Sequence, residues 1–283
     1  MKALKKLFSL LIILSLACGF SFAADKKNSK QKAGSDVRIV TLGPAATEIV
    51  FDVGAQDQLV ARTDLCDYPA QAANYPTVGG FAGNTISLEA IVSYEPTLVY
   101  CFAGMHDYLV KPLEDLGIKV YVSNAVSIDA VKKEVLDIGK LTGHEKQAQK
   151  VVKEMDATLN RTAKYIKSKS KGKAAPKVYW EVWNDPMMTA GKNSFMNDII
   201  QKAGGSNIFG NLNDAYPMVS EEAVLLADPD FIFYSGDGMG GGKPSDIFEP
   251  KGGVHYMGDD DRFVRSTPRC VDAVEKLAKI IWQ

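Results

Sequence analysis

The sequence predicts an α/β protein of two lobes, each built on a central parallel sheet and joined by one long helix. Three observations predict it. The first is an internal repeat. Ser87-Leu88-Glu89-Ala90-Ile91-Val92-Ser93-Tyr94-Glu95-Pro96-Thr97-Leu98-Val99-Tyr100 returns without a gap as Ser220-Glu221-Glu222-Ala223-Val224-Leu225-Leu226-Ala227-Asp228-Pro229-Asp230-Phe231-Ile232-Phe233, at an offset of 133 residues (220 − 87). Both copies read as a Ser-capped short helix, an acid-Pro stop and an apolar strand. One copy per half of the chain means two similar lobes rather than a solenoid of short units. The second observation is alternation of apolar strand-like runs with helical patterns in both halves, as in a parallel sheet covered by helices. The third lies between His144 and Lys167. There Ala148, Val151, Met155, Leu159, Ala163 and Ile166 recur at spacings of three and four, with no Gly or Pro. That is one amphipathic helix of six or more turns. At ~1.5 Å per residue it is ~35 Å long. It stands where the two halves of the repeat meet, and so reads as a rigid bridge.

In chain order, residues 1–23 read as an export signal. Lys2, Lys5 and Lys6 precede the apolar run Leu7 to Ala17, and Ser21-Phe22-Ala23 supplies the small residues a signal peptidase reads. The run, at about 11 residues against roughly 20, is too short to span a bilayer as an anchor. A second reading makes Ser15-Leu16-Ala17-Cys18 a lipoprotein signal with lipid on Cys18, although the bulky Leu16 fits it poorly. Both readings take the chain out of the cytoplasm. Residues 24–36, rich in Lys, Ser and Gln, form a disordered tether. The first lobe occupies 37–142. Strands are expected at Arg38 to Leu42, Leu59 to Arg62, Thr97 to Tyr100 and Lys119 to Val122. Helices are expected at Thr47 to Phe51, Ser87 to Ser93, Tyr108 to Leu116 and Ile128 to Thr142. The bridging helix falls within 143–172 and ends in the solvated run Ser168 to Lys173. The second lobe, 173–283, opens with the strand Lys177 to Trp183. It continues through a helix at Phe195 to Ala203, the second repeat copy, and a last helix from Pro268 to Ile281. The Gly-rich run Asp237 to Gly242 is a flexible loop rather than a phosphate loop, since Lys243 is followed by Pro.

Composition excludes several classes of function. Cleavage after Ala23 removes three lysines and no acids, leaving 30 Lys and Arg against 34 Asp and Glu, a net charge of about −4. No basic patch points to nucleic acid, and no second apolar run points to a membrane span. No Gly-x-Ser-x-Gly elbow, His-Glu-x-x-His or Cys-x-x-Cys motif points to an enzyme. The mature chain keeps Cys66, Cys101 and Cys270, an odd number. Cys66 and Cys101 both follow strand-like runs and stand as neighbours at one sheet edge or as buried free thiols. His106, His144 and His255 are far apart, and His144 is expected to be exposed. Only His106, just past the strand ending at Cys101, has a position from which it would reach a metal in a cleft. A surface or loop role for it is the plainer reading.

Two facing lobes make a cleft, and clefts at lobe interfaces are where small molecules bind. Tyr68, Phe81, Phe102, Trp183 and Tyr216 all stand on loops that follow strand ends or precede a repeat copy. In parallel α/β sheets such loops form the ligand crevice. Any one of these residues alone reads as core; together they describe a pocket for a large, flat, partly apolar molecule. Glu89 and Glu222 occupy the same place in the first turn of matched helices. Acids there are favoured by the helix dipole, which explains each separately. As a pair they also form a two-point ruler suited to arginines of a two-fold symmetric partner.

At this point the sequence resembles the periplasmic binding proteins of ABC importers for cobalamin, haem and ferric siderophores. The resemblance covers nearly the whole mature chain. It rests on Arg38 to Glu48, Asp67-Tyr68-Pro69, Ser87 to Ile91, Thr189 to Lys192, Gly204 to Phe209 and Val219 to Glu222. Pro186 to Lys192 and Arg262 to Arg269 look most like the cobalamin receptors. The resemblance implies two Rossmann-like lobes, a monomer, no catalysis and no cofactor. It implies a transported ligand that is a corrinoid or, alternatively, haem or a ferric siderophore. The implied partner is a two-fold symmetric permease with its ATPase. A two-lobed metallocluster-related enzyme is the alternative from another class. By motif, the cleft aromatics would be Tyr68, Phe81, Phe102, Trp183 and Tyr216, the polar contacts Asp261 and Arg265, and the docking acids Glu89 and Glu222. The chain departs from the pattern in having Phe or Tyr for several cleft tryptophans, Arg262 in place of an aromatic, and Ala203 at one position of a second-lobe disulfide.

Overall fold

Residues buried on both faces of a strand imply a sheet covered on both sides, and the first half of the chain builds one. The computed structural model describes residues 36–81, 83–235, 243–258 and 260–283. The expected leader, Cys18, almost all of the tether and the Gly-rich run lie outside them. Strands β1 (Ile39–Thr41), β2 (Leu59–Ala61), β3 (Leu98–Phe102) and β4 (Lys119–Ser123) pair in the order β2-β1-β3-β4, all parallel. Ile39, Leu98 and Tyr100 point to one face, where α1 (Pro44–Asp52) and α4 (Ile128–Thr142) pack. Val40, Leu42, Val99 and Cys101 point to the other, under α2 (Leu88–Val92) and α3 (Asp107–Asp115).

The second sheet is built around β5 (Lys177–Trp183) and β8 (Phe231–Tyr234), with β6 (Met188–Thr189), β7 (Ser206–Asn207) and β9 (Val254–Tyr256) beside them. Its order is β6-β5-β8-β9, and β7 also pairs with β5. Only β6 runs antiparallel. Val178, Trp180 and Phe233 face α6 (Phe195–Lys202) and α8 (Cys270–Ile281), while Tyr179 and Ile232 face α7 (Glu221–Ala227).

The repeat is a repeat of geometry. Ser87 Oγ accepts the Ala90 N–H at 3.0 Å, and Ser220 Oγ accepts the Ala223 N–H at 3.3 Å. Glu95 and Asp228, the acids before the two prolines, both take the left-handed conformation, with φ of 48° and 49°. Non-glycine residues rarely adopt it. The same strained reversal therefore feeds β3 and β8 in the two lobes.

Helix α5 (Glu145–Ser170) packs between the sheets against α4 and α8. A Cβ on Gly139 would lie 2.3 Å from the Ala148 Cβ, so glycine is what lets α4 and α5 cross at contact distance. One continuous apolar core includes Ile39 and Tyr100 of the first sheet, Trp180 and Phe233 of the second, and side chains of α1, α4, α5, α6 and α8. Polar bonds follow the same path. Asp198 of α6 accepts the Ile128 N–H at 2.7 Å, satisfying a free donor at the start of α4. Lys202 pairs with Asp129 at 3.4 Å.

Three expectations are corrected. Cys101 lies on β3, between β1 and β4, rather than at a sheet edge; of the two readings the buried free thiol holds, since Cys66, Cys101 and Cys270 are all free and buried. Burial pushes the Cys101 thiol up to about 12, with Asp107 adding to the shift. His144 is half-buried and bonded through Nδ1 to the Thr142 hydroxyl at 3.2 Å. Strands β6, β7 and β9 were not anticipated. With two or three residues each, they carry no period that a sequence pattern can register.

Candidate ligand cleft

The loop after β1 is Gly43-Pro44, and two aromatic rings close over it. A Cβ on Gly43 would lie 2.6 Å from Phe81 Cε2 and 2.7 Å from Phe102 Cε2, so only glycine admits both rings. Phe81 and Phe102 meet edge-on with centroids 6.3 Å apart. His106 fixes the pair. It is fully buried, its Nδ1 accepts the Phe102 N–H at 3.1 Å, and its Nε2–H donates to the Phe81 carbonyl at 2.7 Å. Burial pulls its pKa down against the opposing pull of the Phe81 carbonyl and Asp107. A neutral imidazole with both nitrogens engaged has no lone pair to offer a metal. His106 thus lies in the loop before α3, as the plainer reading expected, but buried in a structural role rather than on the surface. Among the described residues no group of three or more His, Cys, Asp or Glu could hold a metal ion.

A second constellation joins the lobes. Glu48, one turn into α1, is 1% exposed yet charged partners surround it. Its Oε1 accepts Arg265 Nη1 at 2.8 Å, and its Oε2 accepts Arg269 Nε at 2.9 Å. The Arg269 guanidinium also lies 3.7 Å over the Tyr68 ring, a cation–π contact of the kind worth about 0.5–2 kcal/mol. Arg265 Nη1 donates in addition to Asp67 Oδ1 at 2.8 Å, and its Nη2 lies 3.0 Å from Asp261 Oδ2. Burial pushes the Asp67 carboxyl up, but the hydrogen bond and charge of Arg265 outweigh it and hold the group below its usual range. Asp52, a further turn along α1, is pushed up to about 7 by burial and by the charge of Glu48, against the opposing charge of Arg269. Arg262 is tied to Asp260 by two bonds of 2.6 Å. Burial raises the Asp260 carboxyl, yet Arg262 and Lys276 together bring it down to about 2.

The remaining aromatics stand on the second lobe. Trp183 ends β5, and its Nε1–H donates to the Asp185 carbonyl at 2.8 Å. It pairs across the ladder with Met188, which bridges to Met218, two residues beyond Tyr216. Trp183 and Tyr216 thus share one edge of the lobe, and Tyr216 is 46% exposed. The structure brings Phe81 and Phe102 together, and separately Tyr68, Asp261 and Arg265. Among the described residues no ring contact joins Trp183 or Tyr216 to the first-lobe aromatics. Tyr68 also lines a first-lobe hollow of about 540 Å³ with Phe51, Asp52 and Tyr75. Glu89 and Glu222 are exposed on α2 and α7, which cover the sheet faces turned away from the shared core. Sequence reasoning missed Glu48, Asp67 and Arg269 as members of the site. The one available signal was the spacing of Arg265 and Arg269, four apart at the mouth of a helix.

Two α/β lobes joined by a long helix, with aromatics at the loop ends of both, define a binding-protein fold. A model of the periplasmic binding protein family matches residues 39–249, and the chain belongs to that family, in its helical-backbone class. It is 30% identical over 257 residues to a vitamin B12-binding protein of Salmonella paratyphi A, covering 87% of this chain and 90% of that one. The crystal structure of the periplasmic vitamin B12 binding protein BtuF of Vibrio cholerae is 26% identical. It has a TM-score of 0.74, covering 86% of this chain and 96% of BtuF. A periplasmic haem-binding protein from Roseiflexus sp. RS-1 gives the same TM-score of 0.74 at 21% identity, covering 87% and 98%. The fold is common to both ligand types. Among the described residues no helix is long and apolar enough to cross a membrane.

Proposed function

We propose that this chain is an exported substrate-binding protein that captures cobalamin, or a related corrinoid, between its lobes and delivers it to an ABC import permease. Residues 1–23 are the export signal, cleaved near Ala23 or, alternatively, a lipoprotein signal with lipid added on Cys18, and 24–36 the tether. The ligand is bound and released unchanged. Phe81 and Phe102, held by His106, and Tyr68, held by Arg269, supply apolar faces from the first lobe. Trp183 and Tyr216 supply them from the second. A planar ring with polar arms suits such a cleft, because stacking fixes the ring while polar groups at the rim fix its rotation. Glu89 and Glu222 meet arginines of the permease, one on each of its two halves. The observation that carries the reading is the joint one of aromatics on the crevice loops of both lobes and identity to vitamin B12-binding proteins through nearly the whole fold.

The test is an absorption spectrum after incubation with cyanocobalamin, haem or a ferric siderophore, followed by desalting. Retention of one cyanocobalamin per chain, with quenching of Trp183 fluorescence, is the expected result. Retention of haem or of the iron complex alone would transfer the role to that ligand. Retention of none, or turnover of any, would overturn the reading.

A further inference from the structure

A hollow of about 540 Å³ opens on the first lobe beside the C-terminal end of α1. Its size falls within the usual range of small-molecule sites. At ~1.5 Å per residue along α1, Asp52 stands ~13 Å from the Gly43 loop over which Phe81 and Phe102 close. Of the described residues lining the hollow, only Tyr68 is among the expected cleft aromatics. Two other rings build it. Phe51 and Tyr75 meet at 88° with centroids 6.0 Å apart, so one ring makes the floor of a corner and the other its wall. Both pack against the shared core, and the Tyr75 hydroxyl donates to the Gln56 carbonyl at 2.9 Å. The corner is therefore fixed before any ligand arrives. Asp52 lines the same hollow, half-buried, and no hydrogen bond among the described residues reaches its carboxyl. From α5, Gln147 meets only the Asp52 backbone carbonyl, at 3.3 Å.

We infer that this hollow is a second small-molecule site, separate from the cleft between the lobes, which takes a compact organic ammonium ion on the Phe51 and Tyr75 rings beside the Asp52 carboxylate. The charged neighbours of Asp52 are Glu48, on the same helix, and Arg269, before α8. Those two are bonded to each other at 2.7 Å, which leaves Asp52 no base of its own. Asp57 adds a further acid: after burial, its charge is what raises the Tyr75 hydroxyl. Burial and then the charge of Glu48 push the Asp52 carboxyl up to about 7, against the opposing charge of Arg269. A carboxylate short of counter-charge gains it from a cation placed beside it. Ring faces are negative, and offset part of the hydration the cation gives up there. An anion would meet Asp52, Glu48 and Asp57 as like charges, and a neutral molecule of the same shape would leave the carboxylate as it is.

The experiment titrates the mature chain, with the cleft empty, with choline and with dimethylbutanol, its uncharged carbon isostere, by calorimetry at pH 5.5 and pH 8. Choline carries the same charge at both values, so any difference belongs to the protein. The parent should bind choline at least tenfold more tightly than dimethylbutanol at pH 8. At pH 5.5 Asp52 holds its proton, and choline affinity should fall at least fivefold. Asp52→Asn keeps the shape and removes the charge. It should lose at least tenfold in choline affinity at pH 8, lose the pH dependence, and leave dimethylbutanol within about twofold. Tyr75→Leu, which removes one ring of the corner, should weaken choline at least threefold, and Trp183→Phe, in the other lobe, should leave it within about twofold. Melting curves verify that each variant is folded. No binding of choline by the parent, equal binding of the two probes, or unchanged choline affinity in Asp52→Asn or Tyr75→Leu would overturn the inference. Loss of choline affinity in Trp183→Phe would place the cation in the cleft between the lobes and overturn it as well. Retention of cyanocobalamin bears only on the cleft, so the two readings fail separately.

Discussion

Glu48 and Arg265 are 217 residues apart in the chain and meet at 2.8 Å across the two lobes, the acid only 1% exposed. A buried ion pair of this kind contributes little relative to apolar packing. Removing one partner alone, however, strands the other charge and costs about 3–5 kcal/mol. Glu48→Ala is therefore expected to lose that much stability in a urea titration, and Glu48→Gln part of it. Replacing Glu48, Arg265 and Arg269 together by apolar residues should cost less than Glu48→Ala. A triple variant less stable than the single one would show that the clasp stabilises by attraction and not by mutual need.

Asp52 gives the fold a pH dependence of known sign. The folded chain holds its proton up to about pH 7, while an unfolded chain releases it near 3.8. The folded state thus binds more protons between these values, and this group's contribution to stability falls as pH rises through that window. Asp52→Asn removes the effect. It should raise stability at pH 8, by on the order of 1–4 kcal/mol, and change it little at pH 4. Calorimetry at the two pH values checks this; an equal effect at both would assign Asp52 no unusual proton affinity.

His106 should make the aromatic platform acid-sensitive. Its pKa is depressed in the folded chain, so its contribution is complete above the ordinary histidine range near 6.5. That contribution is lost as pH falls toward the folded value. Protonation at Nδ1 removes the acceptor for the Phe102 N–H and lets Phe81 and Phe102 part. Ligand affinity in the parent should drop several-fold once pH falls far enough below that ordinary range to protonate the ring. His106→Gln should bind several-fold more weakly at pH 7 and lose the parent's extra acid dependence. Identical pH profiles in the two proteins would separate His106 from the binding surface.

Charge reversal at Glu89 and Glu222 should divide transport from capture. Both are exposed on helices that cover outer sheet faces, so Glu89→Lys with Glu222→Lys should leave ligand affinity within about twofold. Association with the permease should fall at least tenfold, since each proposed acid–arginine contact would become a like-charge contact. Single reversals should do less. A double variant that loses ligand but still docks would move these acids into the pocket.

The parts legible in the sequence were those written locally. Ser87 and Ser220 announce helix starts, Glu95-Pro96 and Asp228-Pro229 announce their ends, and the three-and-four spacing from Ala148 to Ile166 announces α5. The candidate crevice aromatics could be picked out because each follows a strand end or precedes a repeat copy in the chain. The clasp was not. Glu48 finds Arg265 and Arg269 from 217 and 221 residues away, and nothing beside Glu48 in the sequence marks it as buried with partners. His106 was misread for a related reason: its two bonds reach Phe102, four residues off, and Phe81, 25 residues off. Only the folded loop shows both nitrogens filled.

That Ile39 and Tyr100, and Trp180 and Phe233, belong to one apolar core decides how the molecule comes apart. Water admitted along α5 wets the inner faces of both sheets at once and leaves each half only the smaller cluster on its outer face. Heating should melt the chain as one body. A protease that cuts an outer loop would then liberate no soluble half-molecule, and the two ends of the cleft would be lost together rather than one after the other.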